Sequence, residues 1–169
     1  MSPHESETQL TIETIVVDGL ALAKEIRDDL SSKISERKSN GLRTPCLAVV
    51  LVGEDPASAS YIRGKRRACQ RIGMDSVEHK LADNVNQREL IELIEQLNSD
   101  SHIDGILVQL PLPPQICPEE IAAAVDPQKD VDGLHPLNSG MLLSGRKGLF
   151  ACTPLGIMEI LSRHQISLE

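Results

Sequence analysis

The sequence predicts an α/β domain of three layers, a mainly parallel sheet with flanking helices. Three observations carry this. Short apolar β-branched runs alternate with segments of helical period along the chain. Pro45–Val52 is continuously apolar, as strands buried on both faces are, and Ile103–Leu110 reads as another buried strand. Gly and Pro punctuate nearly every junction between the two kinds of segment.

Taken in order, Met1–Thr14 carries three Glu and no Lys or Arg, the wrong charge for a signal or transit peptide. It is expected to be a flexible acidic leader (1–14), with one domain over 15–169. Ile15-Val16-Val17 is a short apolar run, and Asp18-Gly19 can start a helix. Leu22, Ile26, Leu30 and Ile34 then recur at every fourth residue, which predicts an amphipathic helix over about 20–38, closed by Asn40-Gly41. Pro45–Val52 is the first buried strand and Gly53–Pro56 a turn. A second helix is expected over 57–72, ended by Gly73. Val77, His79 and Leu81 alternate with charged residues, which makes 76–81 a strand. Asn86 and Glu89 have the spacing of a capping box, and Leu90, Leu93, Ile94 and Leu97 form the apolar face of the helix behind it. Ile103–Leu110 is the next strand, stopped by Pro111-Leu112-Pro113-Pro114, where an X-Pro bond can be cis. Pro118–Val125 predicts a short helix, 126–149 reads as loop, and Thr153-Pro154 suits the N-cap and first position of a last helix to about His164.

Composition excludes several classes. With 17 basic and 25 acidic residues the net charge is −8, which argues against a general nucleic-acid binder. No apolar stretch approaches the ~18 residues of a membrane span. The 169-residue chain has one Tyr, one Phe and no Trp, so its core must be aliphatic. Cys46, Cys69, Cys117 and Cys152 show no CxxC pair, so no zinc site is indicated. They read as buried, reduced thiols of a cytosolic protein. There is neither a GxGxxG nor a GxxxxGK[ST] segment.

Ligands of open α/β sheets sit beyond the carboxyl ends of the strands. Gly53–Tyr61 and Gln109–Pro114 leave such ends, and 126–149 is a third candidate wall. Tyr61 and Lys65 are four residues apart and share a helix face. Arg63, Arg66 and Arg67 surround Lys65, and a lysine tuned toward neutrality can serve as base or acid near pH 7. The same residues also fit a solvated basic face. Gln109 ends an apolar strand, so its amide either pairs with backbone or faces a cleft. Asp130-Val131-Asp132-Gly133 with His135 and Asn138 packs polar groups into one tight loop. Its Asp-Gly pair fits a plain turn, a ligand-binding aspartate or, less well, an oxygen-ligand metal site, for which two carboxylates are too few.

Four motifs together carry a resemblance. V-G-E-D-P-A-S-x-x-Y-I-x-x-K-x-x-A-C (52–69), D-G-I-L-V-Q-L-P-L-P (104–113), K-D-V-D-G-L-H-P-x-N-x-G (129–140) and C-T-P-x-G (152–156) resemble the bifunctional methylenetetrahydrofolate dehydrogenase/cyclohydrolase family, from about Val17 onward. The resemblance implies oxidation of 5,10-methylenetetrahydrofolate with NADP, then hydrolysis of the 5,10-methenyl cation to 10-formyltetrahydrofolate. It implies a catalytic Lys65, a Tyr61 stacked on the folate ring, a Gln109 bonded to the lysine, an Asp132 gripping the pterin, and Leu110 and Pro111 as substrate contacts. It implies no metal, a folate substrate, a homodimer and a cytoplasmic setting. The family's second half, a Rossmann domain that holds the nucleotide, has no counterpart in these residues. Dehydrogenase activity is therefore not expected of this chain alone. A catalytically silent domain that acts only with a full-length partner is the alternative, and a Schiff-base lysine enzyme a third reading.

Overall fold

A computed structural model describes residues 16–168; the leader expected over 1–14 lies outside them. Among the described residues the order is α1 (Gly19–Ser39), β1 (Cys46–Val52), α2 (Pro56–Ile72), β2 (Asp75–Leu81), α3 (Gln87–Ser99), β3 (Gly105–Val108), α4 (Pro118–Ala124), α5 (Pro136–Leu143) and α6 (Cys152–Arg163). The three strands form one sheet in the order β2-β1-β3, and both pairings are parallel.

Burial of β1 organises the domain. Cys46, Ala48, Val50 and Val52 face one side, where Leu90, Ile94 and Leu97 of α3 and Ile121 of α4 close the larger core with Ile106. Val49 and Leu51 face the other side and meet Ile62 of α2 and Leu107 of β3. The three-layer expectation holds, and the layers have a consequence. β1 leads through α2 on one face to β2. β2 leads through α3 on the opposite face back across to β3. The chain thus reverses its winding between β1 and β3, and a crevice opens beyond their carboxyl ends, the place where such sheets bind ligands.

Local signals explain most boundaries. Asp18 caps α1 by accepting from the Leu20 and Ala21 amides. Asp55 caps α2 through Ser58 N, and α2 stops at Gly73. The capping box at α3 is complete: Asn86 accepts from Glu89 N, and Glu89 accepts from Asn86 N. At the amino ends of the strands the Arg43 guanidinium grips Asp104 with two bonds of 2.6 and 2.7 Å, and Asp104 also accepts from Cys46 N. That guanidinium holds the Asp104 carboxyl below its ordinary value.

Four expectations need correction. The second buried strand shortens to Gly105–Val108, because Gln109 leaves the ladder after one last bond to the Val50 carbonyl. The segment 126–149 is not all loop: α5 lies within it. Pro136 takes its first position and the His135 ring accepts from Leu137 N, a cap the usual residue preferences do not advertise. The last helix starts two residues early, with Ala151 at its N-cap and no side-chain cap bond, so Thr153 falls inside the first turn. Of the cysteines, Cys46 and Cys69 are buried, Cys117 is half-buried and Cys152 exposed, so the buried-thiol reading fails for the last two. Burial pushes the Cys46 and Cys69 thiols up.

Leu90 is fully buried at the centre of the larger core. Leu90→Ala should cost about 2–5 kcal/mol of stability, read as a lower urea midpoint with an unchanged slope.

Candidate active site

Two faces of the crevice carry the predicted residues. Tyr61 and Lys65 project from α2, which Pro56 and the Asp55 cap start directly after β1. Gln109 follows β3. The lysine Nζ donates to Gln109 Oε1 at 3.1 Å, and Gln109 Nε2 donates to the Leu110 carbonyl at 2.8 Å. The amide is thereby fixed with its oxygen toward the amine. Tyr61 is 68 % exposed, so its ring is open to a partner. Leu110 and Pro111 are exposed and joined by a cis peptide bond. The arginines do not all crowd the lysine: Arg66 lines a separate groove with Leu47, Val49 and Ile62. The amine meets Gln109, which accepts from it, and its charge is felt by the Asp132 carboxyl.

The opposite wall is the 129–133 segment. Lys129 ties it to the end of α3, its Nζ donating to the carbonyls of Leu97, Asn98 and Asp100 at 2.7–3.0 Å. Ile106 N donates to the Lys129 carbonyl, and Asp130 bridges to Ile106 as a short parallel extension of the sheet. Two glycines permit this closeness. A Cβ on Gly105 would sit 2.5 Å from Val131 Cγ1, and one on Gly133, at φ +65, would sit 2.4 Å from the Phe150 carbonyl carbon. Asp132 lies between these contacts, half-buried in an open cleft of about 360 Å³ lined by Ile106, Val108, Leu110, Ile121, Asp130 and Leu134. Burial pushes its carboxyl up, the Lys65 charge pulls it back, and Asp130 adds to the upward push. Lys65 and Asp132 thus act on each other electrostatically.

Lys65, Gln109, Leu110 and Asp132 meet at one crevice, with Tyr61 and Pro111 exposed beside it. The sequence reading did not single out Ser58, which is buried with its hydroxyl 3.5 Å from the Leu110 carbonyl, nor Cys152, whose thiol donates to the Val131 carbonyl at 3.5 Å. Both lie inside the quoted motifs, which were the only signal for them. Asp130 was noted as a loop residue, and its part in the architecture shows only in three dimensions. Among the described residues, no group of three or more His, Cys, Asp or Glu side chains could hold a metal ion, and no helix is long and apolar enough to cross a membrane.

The sequence pattern described as tetrahydrofolate dehydrogenase/cyclohydrolase, catalytic domain, matches residues 17–132, more than half of the chain. The chain belongs to this family. The bifunctional protein FolD of Nautilia profundicola is 46 % identical over 154 residues, covering 91 % of this chain and 54 % of that protein. FolD of Prochlorococcus marinus is 50 % identical over 155 residues, covering 92 % and 51 %. The solved structure of FolD methylenetetrahydrofolate dehydrogenase/cyclohydrolase from Campylobacter jejuni superposes with a TM-score of 0.87 at 46 % identity, over 90 % of this chain and 54 % of that one. The Trypanosoma brucei enzyme, solved with NADP cofactor and an inhibitor, gives 0.84 at 32 % identity, over 91 % and 53 %. The chain spans about half the length of the curated relatives it matches.

Two outcomes follow from the wall that holds Asp132. Gly133→Ala should lose about 1–3 kcal/mol of stability, because a side chain at that φ is strained and the added carbon meets the Phe150–Ala151 backbone; a urea titration reads it. Asp132→Asn should be more stable than the parent at pH 7. The folded carboxyl is raised, so its contribution is fully favourable only below the ordinary value of 3.8 and is lost as pH rises through the folded value. The difference between the two proteins, measured by thermal unfolding, should therefore vanish in acid.

Proposed function

We propose that this chain forms the folate-binding and hydrolytic site of a methylenetetrahydrofolate dehydrogenase/cyclohydrolase. The observation that carries the reading is the Lys65–Gln109 bond facing the half-buried Asp132 across the crevice. Family membership supplies the substrate class; the crevice supplies the groups its chemistry needs.

A pterin presents neighbouring N–H donors, and the two oxygens of Asp132 suit such a pair. The exposed ring of Tyr61 offers a stacking surface for the aromatic part of the folate, with Leu110 and Pro111 at its edge. The 5,10-methenyl group is a cation, so it sits better against a neutral amine than against an ammonium. As water adds to the methenyl carbon, the neutral Lys65 amine takes the proton the water loses. The adduct then opens by cleavage of the carbon–N5 bond. N5 takes the proton from the lysine, and the hydroxyl proton leaves to solvent as the formyl carbonyl forms. One proton is released overall and the lysine is regenerated. Gln109 holds one amine hydrogen throughout, which orients the nitrogen lone pair toward the substrate.

The oxidation step with NADP belongs to this reading only for a protein that also holds the nucleotide. The residues of this chain do not fit it. The three helices that follow the strand ends carry carboxylates at their starts: Asp55 caps α2, Glu89 closes the box on α3, and Glu119 and Glu120 stand in the first turn of α4. Phosphates would meet a like charge at all three starts, and amides already capped at α2 and α3.

The decisive experiment is hydrolysis of 5,10-methenyltetrahydrofolate by this chain, followed optically. Lys65→Met should lose at least about 10²-fold over the parent, the usual contribution of a positioned acid–base group. A parent rate equal to that of the variant and of buffer would sink the hydrolytic reading and favour a domain that acts only with a full-length partner.

A further inference from the structure

We propose that Asp130, together with Asn138, is the positioning residue of this site: its carboxylate clamps the turn that aims Asp132 into the cleft. The inference rests on Asp132 as the folate-gripping carboxylate.

Asp130 is 4 % exposed and Asn138 3 %, the only charged residue and the only amide buried so fully among the described residues. The partners the carboxylate finds are N–H groups. Oδ1 accepts from Leu134 N at 3.2 Å, and Oδ2 accepts from His135 N at 2.8 Å and from Asn138 Nδ2 at 2.9 Å. Its backbone carbonyl accepts from Gly133 N at 3.3 Å. Asn138 spends its other amide hydrogen on the Pro127 carbonyl at 2.9 Å, which reaches back to the start of the loop. The clamp therefore spans both sides of Asp132 and touches it at neither.

A buried carboxylate without a cation is costly, so a chain that only needed a turn would do better with an amide or a hydroxyl. The carboxylate supplies what those groups lack, two oxygens that take three donors at once. The amino end of α5 contributes two of the three and offsets the charge. The result is a rigid turn in which the residue two before Asp132 points into the fold and Asp132 points into the cleft. Asp130 also lines that cleft, and its charge adds to the upward push that burial gives the Asp132 carboxyl.

The test measures tetrahydrofolate binding by calorimetry and hydrolysis of the methenyl compound for the full chain, Asp130→Asn, Asn138→Ala, the double variant and Asp132→Asn. Each single clamp variant should bind about tenfold or more weakly, the scale on which misplacing a binding group shows. The double variant should be no worse than the weaker single one, because both act through one clamp. For turnover the loss should fall in KM, with kcat near that of the parent, since Lys65 and Gln109 stand on other elements. Amide exchange should quicken at Leu134 and His135 and stay unchanged in β1. Should Asp130→Asn fail to fold, Asn138→Ala carries the test. Clamp variants that bind as the parent does, while Asp132→Asn binds weakly, overturn this inference alone. Equal losses in kcat and KM with loosened β1 amides overturn it in favour of a merely structural role. A parent that binds no tetrahydrofolate, or an Asp132→Asn that binds like the parent, overturns the reading of the site and this inference with it.

Discussion

Burial of β1 on both of its faces is the constraint from which the rest of the architecture follows. A strand with apolar side chains above and below cannot lie on a surface. It needs a helix layer on each side, and α2 and α3 supply them from opposite directions. The parallel connections then gather every strand's carboxyl end on one edge of the sheet, and the change of face between α2 and α3 opens the crevice between β1 and β3.

The same arrangement explains how the site keeps charges that burial opposes. Lys65 leaves from the middle of α2 and is met by a Gln109 amide locked against its own backbone neighbour. Asp132 is held where its charged form is disfavoured, on a turn fastened at both ends by hydrogen bonds and by two glycine close approaches. The stability this costs is offset by packing elsewhere, notably the aliphatic core around Leu90, Ile94 and Ile106. The cleft thus opposes an amine to a carboxylate across a space with apolar lining. That suits a ligand with a donor edge, a flat ring and a developing or fixed positive charge.

Legibility along the chain followed the range of the interactions. The helix at Gly19–Ser39, the capping box at Asn86, the stop at Gly73 and the buried strand of β1 depend on neighbours a few residues away, and each was readable in spacing alone. The helix at Pro136–Leu143 was hidden because its cap is a histidine and its interior contains Gly140, so its formation depends on bonds to Asp130 rather than on propensity. The start of α6 moved by two residues, and no side chain caps it. Cys152 stays exposed for a similar reason: its surroundings are set by Val131, twenty-one positions earlier in the chain.

The candidate site divides along the same line. Residue type and order were enough for the α/β class and for the family, and they drew attention to Tyr61, Lys65, Gln109 and Asp132. Those depend on side-chain chemistry and short-range periodicity, which a linear chain already carries. Which of those residues face one another was decided only by tertiary packing. Lys65 and Gln109 are separated by forty-four positions, and the lysine meets an amide and a carboxylate from two other segments. The direction of Asp132, and the buried carboxylate that aims it, follow from how the chain returns across β3. Spacing cannot express that, because it depends on where two distant backbones pass within a few ångströms.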